Sequence, residues 1–217
     1  MDLSRQHDLL PERLLRDVCV TIIGVGGIGS FLALLLSKMG IPKIVVWDDD
    51  VVDSTNPSSQ FYRPSDDGRL KVVALKEIVE MFSTAAVTAI PRRFTGTEKP
   101  KGIVLSAVDD MDVRMGIWHN SIKYNPHVPL YIEARMGGEE LRVYSLNPCD
   151  PDLVERYEKC LYPQSRAFQQ PCTGKAIAYT TFDSAGIIGR EVKAFLTGEP
   201  VQFENILGLK SRMWVVQ

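Results

Sequence analysis

The sequence is poor in cysteine and has neither a long apolar run nor an excess of charge of one sign. Lys and Arg number 25 and Asp and Glu number 27, which gives a net charge of −2. Without a basic surplus, the chain lacks the electrostatic signature of proteins that bind nucleic acids or anionic membranes, so we expect neither partner. The apolar run from Phe31 to Leu36 is too short to span a bilayer. The amino-terminal residues contain no apolar secretory core, so we expect a cytoplasmic protein.

The few cysteines argue against a structure held together by disulfides or by a cysteine-bound metal. None of Cys19, Cys149, Cys160 and Cys172 forms a Cys-x-x-Cys pair. In a cytosolic chain of 217 residues they are expected to be free thiols. Their spacing does not predict a zinc site either.

Strand and helix patterns alternate over the first 150 residues. The apolar patterns predict strands at 18–23, 43–47, 87–90, 103–107 and 130–134, and helices at 28–39, 67–82 and 113–124. This alternation predicts an α/β fold, a Rossmann-like doubly wound sheet that is mostly parallel and has helices on both faces.

The pattern changes after the strand predicted at 130–134. Residues 140–146 are typical of an antiparallel strand, and 147–175 are weakly periodic, as in a functional loop or a small insert. A helix at 181–196 and a short strand at 213–217 follow. We interpret residues 1–217 as a single domain with an antiparallel carboxy-terminal extension and a long crossover loop at 147–180.

A glycine-rich turn connects the first predicted strand to the first predicted helix. Gly24, Gly26 and Gly29 form the pattern GxGxxG, which permits a tight turn, close approach of a phosphate and close packing of the helix on the strand. Gly27 lies within this turn and is expected at the same site. Asp48 ends the second strand, where an acidic side chain can accept hydrogen bonds from ribose hydroxyls. The alternative is a structural turn without a ligand.

Two further residues separate this pattern from that of a dehydrogenase. Lys71, on the helix predicted at 67–82, can neutralise the charge of a nucleoside triphosphate. Asp109 follows the strand at 103–107, at the sheet edge where ligands bind, and its carboxylate can hold Mg²⁺. Alternatively, Lys71 is a solvated helix lysine, Asp109 caps the next helix, and the three acids at 48–50 form a solvated turn.

Together these motifs resemble the adenylating domain of the E1-like activating enzymes, the ThiF/MoeB/HesA group. The resemblance runs from Arg5 to the helix near residue 196. The residues that carry it are Arg5-Gln6, Gly24 to Gly29, Asp48-x-Asp50, Asn56, Gln60, Gly68-x-x-Lys71, Val108-Asp109-Asp110 with Val113-Arg114, and Cys160-Leu161-Tyr162-Pro163.

The resemblance implies an ATP-dependent adenylyltransferase. Asp48 would bind the ribose, with Asp50 and Gln60 at the same nucleotide site. Asn56 and Lys71 would contact the phosphates, Asp109 would hold Mg²⁺, and Arg5 would reach the phosphates of a neighbouring subunit, which implies a homodimer or heterodimer. The substrate would be the carboxy-terminal glycine carboxylate of a ubiquitin-like or sulfur-carrier protein.

The sequence departs from the family pattern at two places. Ser59 stands where the family usually has an arginine before the glutamine, and Arg63 or Arg69 is a candidate substitute. The resemblance also implies, for many members, a zinc bound by two Cys-x-x-Cys pairs. Here Cys160 is retained but Tyr157 occupies the paired position, so we expect no zinc.

Cys172 resembles in position the cysteine to which some members transfer the activated carboxylate. A thiolate near Lys175 and a helix amino terminus is favoured as a nucleophile, so a thioester or persulfide adduct at Cys172 is a hypothesis. The alternative is an unreactive thiol.

Three other functions remain open from the sequence. The chain can be an NAD-dependent oxidoreductase on a similar sheet, although no hydride-transfer acid and base pair is evident. It can be the non-catalytic half of an E1-like heterodimer, which Ser59 favours. It can also adenylate a peptide or a modified tRNA base, and the near-neutral charge disfavours the tRNA.

Overall fold

A computed structural model describes residues 1–167 and 176–217. The strands are β1 Cys19–Ile23, β2 Lys43–Trp47, β3 Ala86–Ile90, β4 Ile103–Ser106, β5 Leu130–Gly137, β6 Glu140–Leu146, β7 Glu204–Gly208 and β8 Met213–Val216. Within the described residues they form one sheet in the order β3-β2-β1-β4-β5-β6-β7-β8. The first five pair in parallel and the last three are added antiparallel. The predicted fold class is thus confirmed.

Helices cover both faces of the sheet. The helices are α1 Gly27–Lys38, α2 Lys71–Phe82, α3 Met111–Ile117, α4 Pro151–Glu158 and α5 Ala178–Thr197, and a π-helical turn, Trp118–Ile122, extends α3. Aliphatic residues of α1, α2 and α5 form one core cluster with the sheet. On the other face, α4 and the π-helical turn contribute to an aromatic cluster around Trp118, Tyr131, Tyr144 and Tyr157.

The order of the strands determines where a ligand can bind. From β1 the chain runs outward through β2 and β3, and it then returns to place β4 on the opposite side of β1. The two loops that follow β1 and β4 therefore leave the sheet in opposite directions and open a crevice between them, which is where open parallel sheets bind ligands. The glycine turn and Asp109 lie on these two loops.

The helix predicted at 67–82 begins four residues late. Gly68 adopts a left-handed conformation with φ of 77°, and Leu70 forms an isolated β-bridge with Val51. Both features are incompatible with helix, so α2 starts at Lys71. Leu70 and Met81, which the helical pattern places on the apolar face, are instead exposed, whereas Lys71 is buried.

Two elements lie in regions without a predicted element. The weakly periodic segment contains α4, which begins at Pro151 and is capped by Asp150, whose carboxylate accepts from the N–H groups of Asp152 and Leu153. Strand β7 fills the space between β6 and the predicted last strand. No helix among the described residues is both long and apolar enough to cross a membrane; the cytoplasmic location stays a prediction.

Candidate functional site

The glycine turn places bare backbone at the crevice. Gly24 has φ of 86°, and a Cβ there would lie 3.0 Å from the carbonyl oxygen of Ala107, so the turn packs directly against the loop after β4. A Cβ on Gly29 would lie 2.0 Å from the carbonyl oxygen of Gly24, so only glycine permits this helix to approach its strand. At Gly26 a Cβ would meet no atom within 4 Å, so this residue faces open space where a phosphate can approach.

Asp48 connects the end of β2 to the glycine turn. Its carboxylate accepts the N–H of Val25 at 2.8 Å and the N–H of Asp50 at 2.9 Å. Burial raises the pKa of Asp48, and the two backbone donors partly oppose that rise. A carboxylate oxygen has two lone pairs, so each can still accept a ribose hydroxyl.

Residues 61–62 and Ser30 of α1 hold the glycine turn from the other side. The buried hydroxyl of Tyr62 donates to the carbonyl of Val25 at 2.6 Å, and the Ser30 hydroxyl donates to the carbonyl of Gly26 at 2.6 Å. The same Ser30 oxygen accepts the N–H of Phe61 at 2.9 Å. Burial, with the charges of Asp48 and the other nearby acids, raises the pKa of Tyr62 well above its usual value, so the hydroxyl stays a donor. Sequence reasoning missed Tyr62 and Ser30 because the bonds from Tyr62 to Val25 and from Phe61 to Ser30 join residues far apart in the sequence.

Lys71 lies at the same sheet edge, paired with an acid. Its ammonium nitrogen Nζ is 2.8 Å from Oδ2 of Asp50, and the lysine is buried whereas the side chain of Asp50 is 63% exposed. The carboxylates of Asp48, Asp49 and Asp50 offer oxygens within 4.8 Å of one another, so Lys71 partly neutralises a compact acidic cluster. The structure therefore brings Lys71 to the glycine turn, and it is not a solvated helix lysine.

The segment at 56–60 lies beside the turn. The amide oxygen of Asn56 accepts the N–H of Asp53 at 3.0 Å, which shapes the local loop. The carbonyl oxygen of Ser59 lies 3.5 Å from the position of a Cβ on Gly27. Within the described part of the chain, the buried amide oxygen Oε1 of Gln60 has no hydrogen-bond partner.

Both candidate substitutes for the missing arginine are engaged elsewhere. Arg63 and Arg69 donate to the buried carboxylate of Asp66 at 2.7 and 2.8 Å, and both also contact Glu77. Bonding to Arg63 lowers the pKa of Asp66 to about 2. The ion-pair cluster thus occupies both guanidinium groups and stabilises the loop between residue 60 and α2.

Asp109 stands on the loop between β4 and α3. Its side chain is exposed and, among the described residues, has no hydrogen-bond partner. The cap of α3 is Asp110, whose carboxylate accepts the N–H of Val113 at 2.9 Å. Asp109 is therefore not a helix cap, and its carboxylate is available at the crevice. A free carboxylate at this crevice is the kind of oxygen donor that Mg²⁺ takes from proteins, so the donor chemistry fits this ion.

Arg5 lies away from the glycine turn of its own chain. It is exposed in a short 3-10 turn, and the neighbouring Gln6 donates to the carbonyl of Met39 at 2.7 Å, just beyond the carboxy terminus of α1. Since α1 has 12 residues, its two ends are about 18 Å apart. The structure does not bring Arg5 to this crevice, and its expected role requires a second subunit.

The cysteines occupy different settings. Cys172 and Lys175 lie outside the described residues. Cys19, Cys149 and Cys160 are free thiols. Cys19 begins β1, and burial raises its pKa. Tyr157, which stands at the position paired with Cys160 in the family pattern, is fully buried, and its hydroxyl donates to Glu133 at 2.8 Å.

Helix α5 begins next to the glycine turn, which sequence reasoning missed. A Cβ on Gly27 would lie 3.3 Å from Cγ2 of Thr181 and 3.4 Å from Cε of Met136. The first turns of α1 and α5 thus pack together, and both have positive dipole ends that favour an anion. Thr180 and Thr181 give no sequence signal because the contact depends on the packing of two distant helices.

Known proteins resemble this chain in sequence. The model of the ThiF family matches residues 4–214. Ubiquitin-like modifier-activating enzyme 5 of Drosophila erecta is 32% identical over 135 residues, covering 54% of this chain and 34% of that protein. The protein of the same name from Caenorhabditis briggsae is 31% identical over 134 residues, covering 54% and 31%. The chain thus spans about a third of the length of these curated relatives.

Solved structures share the fold. Escherichia coli MccB with AMPCPP and MccA superposes with a TM-score of 0.75 at 20% identity, covering 95% of this chain and 65% of that one. PaaA gives a TM-score of 0.75 at 18% identity, covering 100% and 68%. Because the family model covers nearly the whole chain and the fold agrees, the resemblance in the sequence is confirmed: this chain belongs to the ThiF family.

Proposed function

We propose that this chain binds ATP with Mg²⁺ and adenylates the carboxy-terminal glycine carboxylate of a ubiquitin-like or sulfur-carrier protein. The observation that carries the proposal is the meeting of three features at one sheet edge. The open backbone at Gly26 lies on the loop after β1, and the free carboxylate of Asp109 lies on the loop after β4. Lys71, at the start of α2, pairs with Asp50 just after β2, at the same edge of the sheet. Family membership, the names of the curated relatives and the solved complex of MccB with ATP support a nucleotide triphosphate over NAD.

In the proposed reaction, a carboxylate oxygen of the carrier attacks the α-phosphorus of ATP. The bond between this phosphorus and the oxygen bridging to the β-phosphate breaks, and pyrophosphate leaves with the electron pair. The products are an acyl-adenylate and pyrophosphate. Two anions must approach each other, so the site has to align them and offset their repulsion.

Each residue of the candidate site has a distinct role in the proposed reaction. The amino terminus of α1 presents N–H groups to the phosphates, and Asp48 accepts ribose hydroxyls. Lys71 supplies positive charge, with Asn56 and Gln60 beside it, and Arg5 of a second copy supplies more. Asp109 would hold Mg²⁺, which when bound neutralises phosphate charge.

A transfer step at Cys172 is the finer part of the proposal. The thiolate sulfur would attack the carbonyl carbon of the acyl-adenylate and release AMP, leaving a thioester. Only the position of Cys172 in the sequence supports this step, so the experiment must separate it from adenylation.

Mass spectrometry of the chain with ATP, Mg²⁺ and candidate carrier proteins tests both parts. The wild type should form an acyl-adenylate and a covalent adduct. Asp109→Ala should form neither, and Cys172→Ala should form the adenylate alone. No adenylate with any carrier bearing a terminal glycine contradicts the main proposal. A covalent adduct retained in Cys172→Ala contradicts the transfer step.

A second candidate is the non-catalytic half of a heterodimer. It is favoured by Ser59 and by the engagement of both Arg63 and Arg69 with Asp66, which leaves this segment without the usual cation. Calorimetric titration of the purified chain with ATP and Mg²⁺ separates the two functions. Binding by the chain alone supports the enzyme, and binding only with an E1-like partner present supports the half-site.

A further inference from the structure

A buried ion cluster lies directly behind the loop that carries Asp109. Glu133 of β5 is fully buried and accepts from three side chains, those of Arg114, Arg135 and Tyr157. Burial by itself raises the pKa of Glu133, but the two arginines outweigh it, and the pKa is lowered. Glu133 is therefore an anion that holds both guanidinium groups in place.

Arg114 also bonds to the loop that carries Asp109. One guanidinium nitrogen donates to Glu133, and the other donates to the carbonyl of Val108. The peptide unit that contains this carbonyl also contains the nitrogen and Cα of Asp109, and its atoms lie in one plane. By holding this plane, Arg114 fixes the N–Cα bond of Asp109, which is one of the two backbone bonds that set the direction of its side chain.

The backbone on the other side of Asp109 is held as well. The N–H of Met111 donates to Oε1 of Gln164 at 2.8 Å, and the carboxylate of Asp110 accepts the N–H of Val113. The side chain of Asp109 itself is exposed. The loop is thus fixed on both sides of one free carboxylate, as a preorganised ligand requires.

We propose that Arg114 is a positioning residue that orients the carboxylate of Asp109 toward Mg²⁺ and the phosphates of ATP, an inference that rests on the proposed function. An arginine suits this role because its planar fork donates to Glu133 and Val108 at the same time, whereas a lysine ammonium has no such fixed pair of donors.

Arg135 offers a matched control. It also donates to Glu133, at 2.8 to 3.1 Å, but its remaining donor goes to the carbonyl of Cys160 and not to the loop of Asp109. Arg114→Lys and Arg135→Lys therefore perturb the same buried anion, and only the first releases the peptide before Asp109.

The test measures binding of a fluorescent ATP analogue as MgCl₂ is titrated, together with thermal unfolding of each variant. Both lysine variants should melt at lower temperature than the wild type. Only Arg114→Lys should raise the Mg²⁺ concentration for half-maximal binding, by about tenfold, the usual effect of losing a residue behind a metal ligand. In an Asp109→Asn background, where nucleotide binding should no longer depend on Mg²⁺, Arg114→Lys should leave nucleotide binding unchanged.

Gln164→Ala keeps the inference testable if Arg114→Lys fails to fold, because Gln164 is only half-buried and holds the other side of the same loop. It should raise the Mg²⁺ requirement in the same direction. An unchanged Mg²⁺ requirement in folded Arg114→Lys, or an equal rise in Arg135→Lys, overturns the role of Arg114 while the proposed function stands. A wild type without Mg²⁺-dependent nucleotide binding overturns the proposed function and the role together.

Discussion

The ammonium group of Lys71 lies 2.8 Å from the carboxylate of Asp50. The first residue of α2 is thereby directed back toward the end of β2, where Asp48 bonds to the glycine turn. The backbone N–H of Lys71 also donates to the carbonyl of Asp50 at 2.9 Å, so both ends of the residue are held by one partner. Asp50 thus holds the ammonium group of Lys71 at this edge of the sheet.

Replacing Lys71 by methionine should abolish most of the proposed adenylation activity but leave the fold intact. The partner left behind, Asp50, has a largely exposed carboxylate that water can solvate. We expect carrier-dependent exchange of pyrophosphate into ATP to fall about 100-fold, as when one preorganised donor is removed from developing charge.

Lys159→Met is the control for this substitution. Lys159 pairs with Glu155 on the exposed surface of the chain. It should exchange pyrophosphate at the rate of the wild type. Equal rates for Lys71→Met and Lys159→Met would show that Lys71 only stabilises the acidic cluster.

Asp109→Asn and Asp110→Asn should differ although the residues are adjacent. Asparagine removes the anionic oxygen that Mg²⁺ prefers, so Asp109→Asn should lose Mg²⁺-dependent nucleotide binding. Asparagine caps a helix about as well as aspartate, so Asp110→Asn should keep both α3 and binding. Calorimetric titrations with ATP, with and without Mg²⁺, measure the difference. Loss of Mg²⁺ dependence in Asp110→Asn and its retention in Asp109→Asn would reverse the assignment.

Two glycines of the turn should respond to alanine in opposite ways. A Cβ on Gly29 would collide with the carbonyl of Gly24, and we expect it to destabilise the fold by roughly 1–3 kcal/mol or more, as overpacking does. A Cβ on Gly26 would enter open space, so Gly26→Ala should fold. Its methyl group should instead obstruct the phosphates and weaken ATP binding.

Urea unfolding and nucleotide binding, measured on both glycine variants, check this expectation. If Gly26→Ala binds ATP as tightly as the wild type, the phosphates do not lie above that residue. If Gly29→Ala is as stable as the wild type, the close approach of helix and strand is not required.

Acid should weaken the fold through Asp66. Bonding to Arg63, opposed by burial and aided by Arg69, lowers the pKa of Asp66 from 3.8 to about 2. A folded-state pKa below the unfolded value adds stability that is fully present above pH 3.8 and is lost as the pH falls toward 2. The size of this shift corresponds to about 2 kcal/mol.

The free energy of unfolding of Asp66→Asn, compared with the wild type from pH 6 to pH 2, isolates this contribution. The variant should be less stable at pH 6, and the difference should shrink by about 2 kcal/mol as the acid is titrated. A difference that stays constant over this range would mean that Asp66 has an ordinary pKa in the folded protein.

The prediction from sequence was accurate where the pattern is local. Strands β2 and β6 begin and end where the apolar runs do, because buried strands need consecutive or alternating apolar residues. It was wrong at the start of α2, where the φ of 77° at Gly68 and the bridge of Leu70 to Val51 override the helical period. Helix α4 was missed because only two of its eight residues, Val154 and Tyr157, are buried.

The candidate site shows the same difference between features set by local sequence and features set by distant contacts. The spacing of Gly24, Gly26 and Gly29 is a local requirement of a strand, a tight turn and a helix, so the sequence alone predicted the glycine turn and the acid after the next strand. Contacts between distant residues were decided only by the tertiary structure. Such contacts are the buried bond from Tyr62 to Val25 and the fork of Arg114 between Glu133 and Val108. Burial makes these polar pairings obligatory, and which groups are buried together depends on the packing of the whole sheet.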